Sequence, residues 1–280
     1  MPGGKRLGDR MMWHSRVFAF GAAAVLAAIP ALAAAPTRAP ARPPARPAAQ
    51  PAVPPPELSG IWVREDDSLD LLPPDMGTGP LRSDLKNPGA ADVSNPILKP
   101  WAAAVLQRVA KARAGKPVRV DEYACRPLGV PLVMAARPRM QIEQPRGRAL
   151  TLRFERDSQV RTINLAAAHP QKLEPSRLGD SIGRYEGGAL IVDTVAQTQR
   201  IDLDRFGTPH TEALRVIERF RVFDNGARLE STVTVEDPKT FTTSWSGIIR
   251  WKKAEGAFVE NSCADGEGTN RISPVAASAP

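Results

Sequence analysis

The sequence is poor in the side chains and turns that cofactor-dependent enzymes commonly use. It has only two cysteines and three histidines in 280 residues. It contains neither a P-loop nor a G-x-G-x-x-G turn followed by a predicted helix. These absences exclude the common nucleotide-binding classes, and we predict no cofactor.

Long apolar runs are also lacking beyond the N-terminus, where no segment approaches the roughly 20 residues of a membrane-spanning helix. Residues 1–33 combine four basic residues with an apolar stretch and a closing Ala-Leu-Ala, the pattern of a secretory signal peptide. We therefore expect a periplasmic or secreted protein without stable membrane insertion. Residues 34–57 are rich in proline and alanine and predict an extended linker. Residues 58–265 are the predicted barrel domain, and residues 266–280 a disordered tail.

Little net charge remains on the predicted domain. Of the net charge of +8, residues 1–33 and residues 34–56 contribute +3 each, which leaves +2 for the rest of the chain. A nucleic-acid-binding domain would need a basic face of its own. We therefore predict no nucleic-acid partner, and the oligomeric state stays open.

The two cysteines lie near the two ends of the predicted domain. An even pair in an oxidising compartment predicts a disulfide between Cys125 and Cys263. Two buried free thiols are the alternative.

Short alternating runs separated by tight turns fill the second half of the sequence. This spacing predicts a mainly β fold, an antiparallel up-and-down, lipocalin-like β-barrel with one amphipathic helix. The helix is predicted over residues 98–114, with Pro100 in its first turn and Gly115 at its end. The predicted strands are 58–62, 139–144, 149–155, 160–165, 181–186, 189–196, 213–223, 228–236, 241–252 and 257–262.

Asn225 and Gly226 stand between two of these runs and predict a hairpin. A two-residue loop pairs Val222 with Leu229 and Arg221 with Glu230, because opposed residue numbers then sum to 451. This register explains both faces of the hairpin, one apolar and one charged.

The same register leaves Glu218 on the apolar face of the hairpin. A carboxylate inside a barrel must be paired, hydrogen-bonded or protonated, because burying it alone costs several kcal/mol. Glu218 is therefore a candidate general acid or base. The alternative is an internal ion pair with an arginine from another strand, such as Arg250 or Arg153.

Any imidazole chemistry falls to His169 or His210, since His14 lies in the predicted signal peptide. Both stand beside prolines at predicted strand ends, where loops surround a barrel mouth, so both are candidate catalytic residues. Each can instead hydrogen-bond the loop backbone. Together with Glu212 they could form a two-histidine, one-carboxylate site, but the spacing is not diagnostic and we predict no metal.

Residues 180–194 read D-S-I-G-R-Y-E-G-G-A-L-I-V-D-T. They resemble the G-D-S-x-G-x-W-E-G-D-T-L-V-V-D-T signature of a large, poorly characterised group of exported bacterial proteins. Further matches cover residues 209–212, 218–219, 236–238 and 245, with the C-x-P-x-G-x-P run from residue 125 and the E-x-x-C run ending at residue 263. The resemblance spans about residues 58–270, and implies a lipocalin-like barrel, export and no established reaction.

The chain departs from this family at three places. Tyr185 stands where tryptophan is usual, and Gly188 where aspartate is usual. Ala166, Ala167 and Ala168 replace an Asp-Gly-Arg that commonly precedes His-Pro. If the replaced aspartate and arginine carry chemistry in the family, this chain has altered or lost it.

Four further residues are candidate ligand contacts: Tyr185, Asp193, Arg219 and Trp245. Tyr185 and Trp245 can line a cavity or belong to the core. Asp193 lies diagonally across a second predicted hairpin from Arg184, with which it can pair, if Gly187 and Gly188 form the loop.

The leading interpretation is an exported barrel that binds a small, partly apolar ligand in its cavity or mouth. One alternative is a cofactor-independent lyase, isomerase or hydrolase using Glu218 and a histidine. Another is a periplasmic structural or interaction protein. A cavity lined by Glu218, Tyr185 and Trp245 would favour the first two, and a packed interior with Glu218 paired to arginine would favour the third.

Overall fold

The computed structural model describes residues 53–66, 68–113, 127–136, 139–155 and 158–259. The predicted signal peptide, most of the linker, the tail and both cysteines lie outside the described residues. The strands are β1 (Gly60–Arg64), β2 (Ser83–Asp84), β3 (Asn87–Ala91), β4 (Met140–Glu143), β5 (Leu150–Phe154), β6 (Val160–Leu165), β7 (Asp180–Glu186), β8 (Ala189–Val195), β9 (Arg215–Phe223), β10 (Arg228–Glu236) and β11 (Trp245–Ala254). The helices are α1 (Pro100–Arg113) and α2 (Leu132–Ala135).

Nine of these strands form a closed barrel in the order β1-β11-β10-β9-β8-β7-β6-β5-β4. The barrel closes because β1 pairs with β11 on one side and with β4 on the other. Closure gives each of these nine strands a neighbour on both sides, so no barrel strand has a wholly unpaired edge. The predicted mainly β barrel is confirmed.

One junction departs from the predicted up-and-down order. β6 and β7 pair in parallel, over only Ile163–Ser181, Asn164–Ile182 and Leu165–Gly183. Residues 166–179 carry the chain back to the end of the barrel where β6 began, which a parallel pair requires. The expectation of antiparallel neighbours throughout is therefore wrong at this one place.

Both predicted hairpin registers are confirmed. Val222 pairs with Leu229 and Arg221 with Glu230, and in the second hairpin Ile182 pairs with Asp193. Asn225 and Gly226 have φ of 54° and 94°, the left-handed values that this type of tight hairpin turn requires. The turn chemistry and the alternation of side chains therefore determined the pairing.

The helix prediction is confirmed to within two residues at each end. α1 buries Ala102, Val105, Leu106 and Val109 on one face. The structure adds two short elements, α2 and the β2–β3 hairpin, in segments without strong periodicity.

The predicted strand at residues 257–262 is wrong for its described part, 257–259, which has no regular structure. There Arg139 donates to the carbonyl of Ala257 at 2.9 Å. The backbone of this segment is therefore hydrogen-bonded by a side chain and not by a neighbouring strand.

The inward-facing side chains pack into one continuous core. Trp62 is fully buried, and the rings of Phe220 and Trp251 stack at 6.3 Å between centroids. Trp62 Nε1 donates to the carbonyl of Leu58 at 2.9 Å, which ties β1 to the residues before it. Among the described residues, no helix is long and apolar enough to cross a membrane.

Candidate functional site

A buried ion pair crosses the barrel interior from β6 to β9. Arg161 and Glu218 are 1% and 0% exposed. Nη1 of Arg161 donates to Oε1 of Glu218 at 3.2 Å, and Nη2 donates to Oε2, so the contact is bidentate. This geometry fixes the carboxylate by two parallel hydrogen bonds.

Two hydroxyl groups on the strands between them complete the network. Arg161 donates from Nε to Ser181 Oγ at 3.2 Å and from Nη2 to Thr194 Oγ1 at 2.8 Å. The two hydroxyl oxygens lie 2.9 Å apart. One inward side chain from each of β6, β7, β8 and β9 therefore joins a polar layer within an apolar barrel.

An ion pair with an arginine was one of the two roles that the sequence allowed for Glu218. The structure shows such a pair, but its partner is Arg161 and not Arg153 or Arg250. Arg153 lies 3.4 Å from Glu143, and Arg250 donates to Glu230 at 2.8 Å. Both occupy half-exposed positions on the outer face, since neighbouring residues of a strand point to opposite faces. Arg161 was not predicted, because its inward position depends on the β5–β6 register.

A groove opens in the barrel wall beside this network, at the end where β6 and β7 both begin. Its volume is about 670 Å³. Arg161 and Ser181 reach its floor from the buried network. Its other lining residues are Pro127, Gln159, Val160, Thr162, Asn164, Ser176, Arg177, Leu178, Gly179 and Asp180.

The groove exists because the backbone segment that directly precedes β7 does not run beside β6. Gly179 has φ of 68°, and the backbone before it follows β8 instead of β6. There Ser176 N–H donates to the carbonyl of Ala196 at 3.0 Å, and Thr198 N–H donates to that of Ser176 at 2.8 Å. A Cβ on residue 179 would lie 2.3 Å from the carbonyl oxygen of Val195, so only glycine allows this approach.

His169 and Asp193, both predicted site residues, meet on the outer face next to the groove. His169 Nδ1 lies 2.5 Å from Oδ1 of Asp180, a groove residue, and its Nε2 lies 3.8 Å from Oδ2 of Asp193. Nε2 is buried and has no hydrogen-bond partner among the described residues. One imidazole therefore stands between two carboxylates.

Arg215 completes this outer cluster. It donates to both carboxylate oxygens of Asp193, at 2.9 and 2.7 Å. Burial raises the pKa of Asp193, but the hydrogen bonds and charge of Arg215, with a smaller effect of His169, outweigh it and lower the pKa overall. Arg184, the partner considered from the sequence, instead contacts Glu186 at 3.2 Å.

Comparison with protein-family models and with curated proteins finds no match for this chain.

Residues 179–183 read G-D-S-I-G, which fits the letters of the G-x-S-x-G pattern of a hydrolase nucleophile. In hydrolases that serine stands on a sharp turn between a strand and a helix. Here Ser181 lies within β7, is 2% exposed and contacts Arg161 and Thr194. It faces the interior while Asp180 and His169 lie outside, so these residues form no catalytic triad.

His210 lies apart from this site. Its Nδ1 bonds to the carbonyl of Thr211 at 3.0 Å, and burial lowers its pKa. The neighbouring Asp237 accepts hydrogen bonds from Thr211 and Thr240. Among the described residues, the ring forms no hydrogen bond with Glu218 or His169. His210 therefore matches the alternative in which it hydrogen-bonds the loop backbone.

The remaining predicted contacts are dispersed. Tyr185 Oη accepts a hydrogen bond from Gln144 Nε2 at 2.9 Å, and Trp245 packs edge-on against Phe241 at 6.0 Å. Arg219 is half-buried on the outer face, opposite in direction to Glu218. The structure thus unites His169 with Asp193 but gathers the other predicted residues into no common cavity.

Proposed function

We propose that this protein is an exported barrel protein that binds a small, partly apolar ligand in the groove between the starts of β6 and β7. The groove carries the proposal, because its volume of about 670 Å³ falls within the range of ligand sites, roughly 300–1,000 Å³. Its lining mixes apolar surface from Val160 and Leu178 with the polar groups of Gln159 and Asn164. Export rests on residues 1–33, outside the described residues.

The packed interior, with Glu218 paired to Arg161, is the arrangement expected of an interaction protein and speaks against a ligand in the lumen, so the proposed site lies in the wall at the barrel mouth. Val192, Val216, Val233 and Ile249 face inward around Glu218 and are all fully buried. A ligand in the lumen would have to displace this core, whereas the groove is already open. The ion pair behind the groove holds its floor in place.

Native mass spectrometry of the mature protein, purified from its own periplasm, tests the proposal. We expect an added mass on the wild type that Ser176→Trp removes, because Ser176 lines the groove and a tryptophan there occupies it. Thr243→Trp, at an exposed position away from the groove, is the matched control and should keep the ligand. Retention by Ser176→Trp, or absence of any bound mass from the wild type, would overturn the proposal.

A cofactor-independent enzyme is the second candidate, favoured by His169 beside the groove. Asp180 orients the imidazole through Nδ1 and leaves Nε2 without a hydrogen bond among the described residues. This nitrogen is buried, so it could accept a proton from a ligand only if binding uncovers it. If a bound molecule is found, turnover that disappears in His169→Gln but persists in His210→Gln would support this function, and no turnover by the wild type would exclude it for that molecule.

A further inference from the structure

The edge of β6 that faces the groove carries main-chain groups that its neighbour β7 does not cover. Phe154 N–H donates to the carbonyl of Gln159 at 2.9 Å, so these two residues form a hydrogen-bonded antiparallel pair. Along an antiparallel ladder, hydrogen-bonded pairs alternate with pairs that are not hydrogen-bonded to each other. Arg161 and Ile163 therefore bond toward β5, and the N–H and C=O groups of Val160 and Thr162 point to the other side.

On that other side β7 begins too late to meet Val160 or the N–H of Thr162, whereas the C=O of Thr162 faces the N–H of Ser181 in the parallel pairing. The parallel pairing starts at Ile163 and Ser181, and Gly179 turns the preceding backbone toward Ala196. Val160 and Thr162 line the groove, and Val160 is 44% exposed. Among the described residues, the N–H and C=O of Val160 and the N–H of Thr162 thus face the groove without a strand beside them.

We propose that this groove, beyond holding a small molecule, accepts an extended peptide segment of another protein, which pairs with β6 as an added strand. The inference rests on the groove being the binding site. Unpaired strand edges bind extended peptides through main-chain hydrogen bonds, which supply affinity, while flanking pockets select side chains. Main-chain recognition suits this groove because, in the described part of the chain, backbone groups of Val160 and Thr162 face it without a neighbouring strand.

The groove also indicates the chemistry of the peptide. A proline opposite Val160 would lack the N–H that the C=O of Val160 requires, so the peptide residue that pairs there is not a proline. The frequent prolines of residues 34–57 disfavour that segment of the chain itself as the ligand. Arg177 is exposed and lines the groove, which favours an acidic side chain or a terminal carboxylate at that position.

A random seven-residue peptide library displayed on phage tests the proposal with the intact mature protein. Thr162→Pro removes the N–H that faces the groove and leaves the hydrogen bonds to β5, whereas Thr162→Ala keeps that N–H. We expect sequences without proline at the position opposite Val160, which bind the wild type and Thr162→Ala and lose at least tenfold in affinity on Thr162→Pro.

N-methylated peptides give a second test that does not depend on a variant folding. Methylating alternate peptide nitrogens of a selected sequence removes either the N–H groups toward β6 or those away from it. One of the two sets should abolish binding and the other should not. Equal effects of both sets, an unchanged affinity of a folded Thr162→Pro, or a library that yields no binder would overturn the peptide proposal. If the wild type then still carries a bound small molecule that Ser176→Trp lacks, only the peptide proposal fails and the proposed small-ligand function of the groove remains supported.

Discussion

The ion pair between Arg161 and Glu218 makes the most specific prediction about stability. Glu218→Met leaves a buried guanidinium without its counter-charge, and Arg161→Met leaves a buried carboxylate facing an apolar chain. Neither group has access to water, since both are at most 1% exposed. Each single substitution should therefore be strongly destabilising.

The magnitude follows from the burial of both partners. Removing one partner of a buried pair typically costs about 3–5 kcal/mol, whereas replacing both by apolar groups is often neutral. For a domain of roughly 200 residues, 3–5 kcal/mol lowers the melting temperature by about 6–20 °C. The double variant Arg161→Met with Glu218→Met should be less destabilised than either single variant.

Urea unfolding followed by circular dichroism on the wild type, both single variants and the double variant completes the cycle. We expect a coupling free energy of about 3 kcal/mol or more. The matched control is Arg250→Met with Glu230→Met, an outer-face pair that should couple by less than about 1 kcal/mol. Additive losses at Arg161 and Glu218, or a single loss below about 1 kcal/mol, would refute the reasoning.

Two further predictions concern the pH dependence of stability and the origin of the groove. Burial raises the pKa of Asp204 to about 6, against the opposing hydrogen bonds from Thr208. The folded protein therefore holds this proton more tightly than the unfolded chain, and stability should fall by at most about 3 kcal/mol as the pH rises from 4 to 7. Urea titrations of Asp204→Asn should lack this component, and an unchanged pH profile would contradict it. Gly179→Ala should cost about 2–4 kcal/mol, because it adds both left-handed strain and a contact with Val195. Gly147→Ala, with φ of 66° and open space around it, should cost only about 1 kcal/mol; equal losses in urea unfolding would show that the Val195 contact contributes nothing.

Local chemistry decided most of the fold. Asn225 and Gly226 determined one hairpin, and Gly187 and Gly188 the other, because a tight turn fixes which residues are opposed and alternation then fixes the faces. The same reasoning identified Glu218 as a buried carboxylate with either a chemical or an ion-pairing role. These features depend on residues within about 25 positions of each other, so the sequence alone contained them.

Only the tertiary structure decided the junction between β6 and β7, and with it the candidate site. The segment between them has no periodicity that would reveal its return to the starting end of the barrel, so the parallel pairing was not predictable. That pairing sets Arg161 opposite Glu218, 57 positions apart in the chain, and opens the groove at Gly179. It also brings His169 to Asp180 and Asp193. Such contacts join strands from separate parts of the chain, and their partners are determined by how the barrel closes, not by any local pattern.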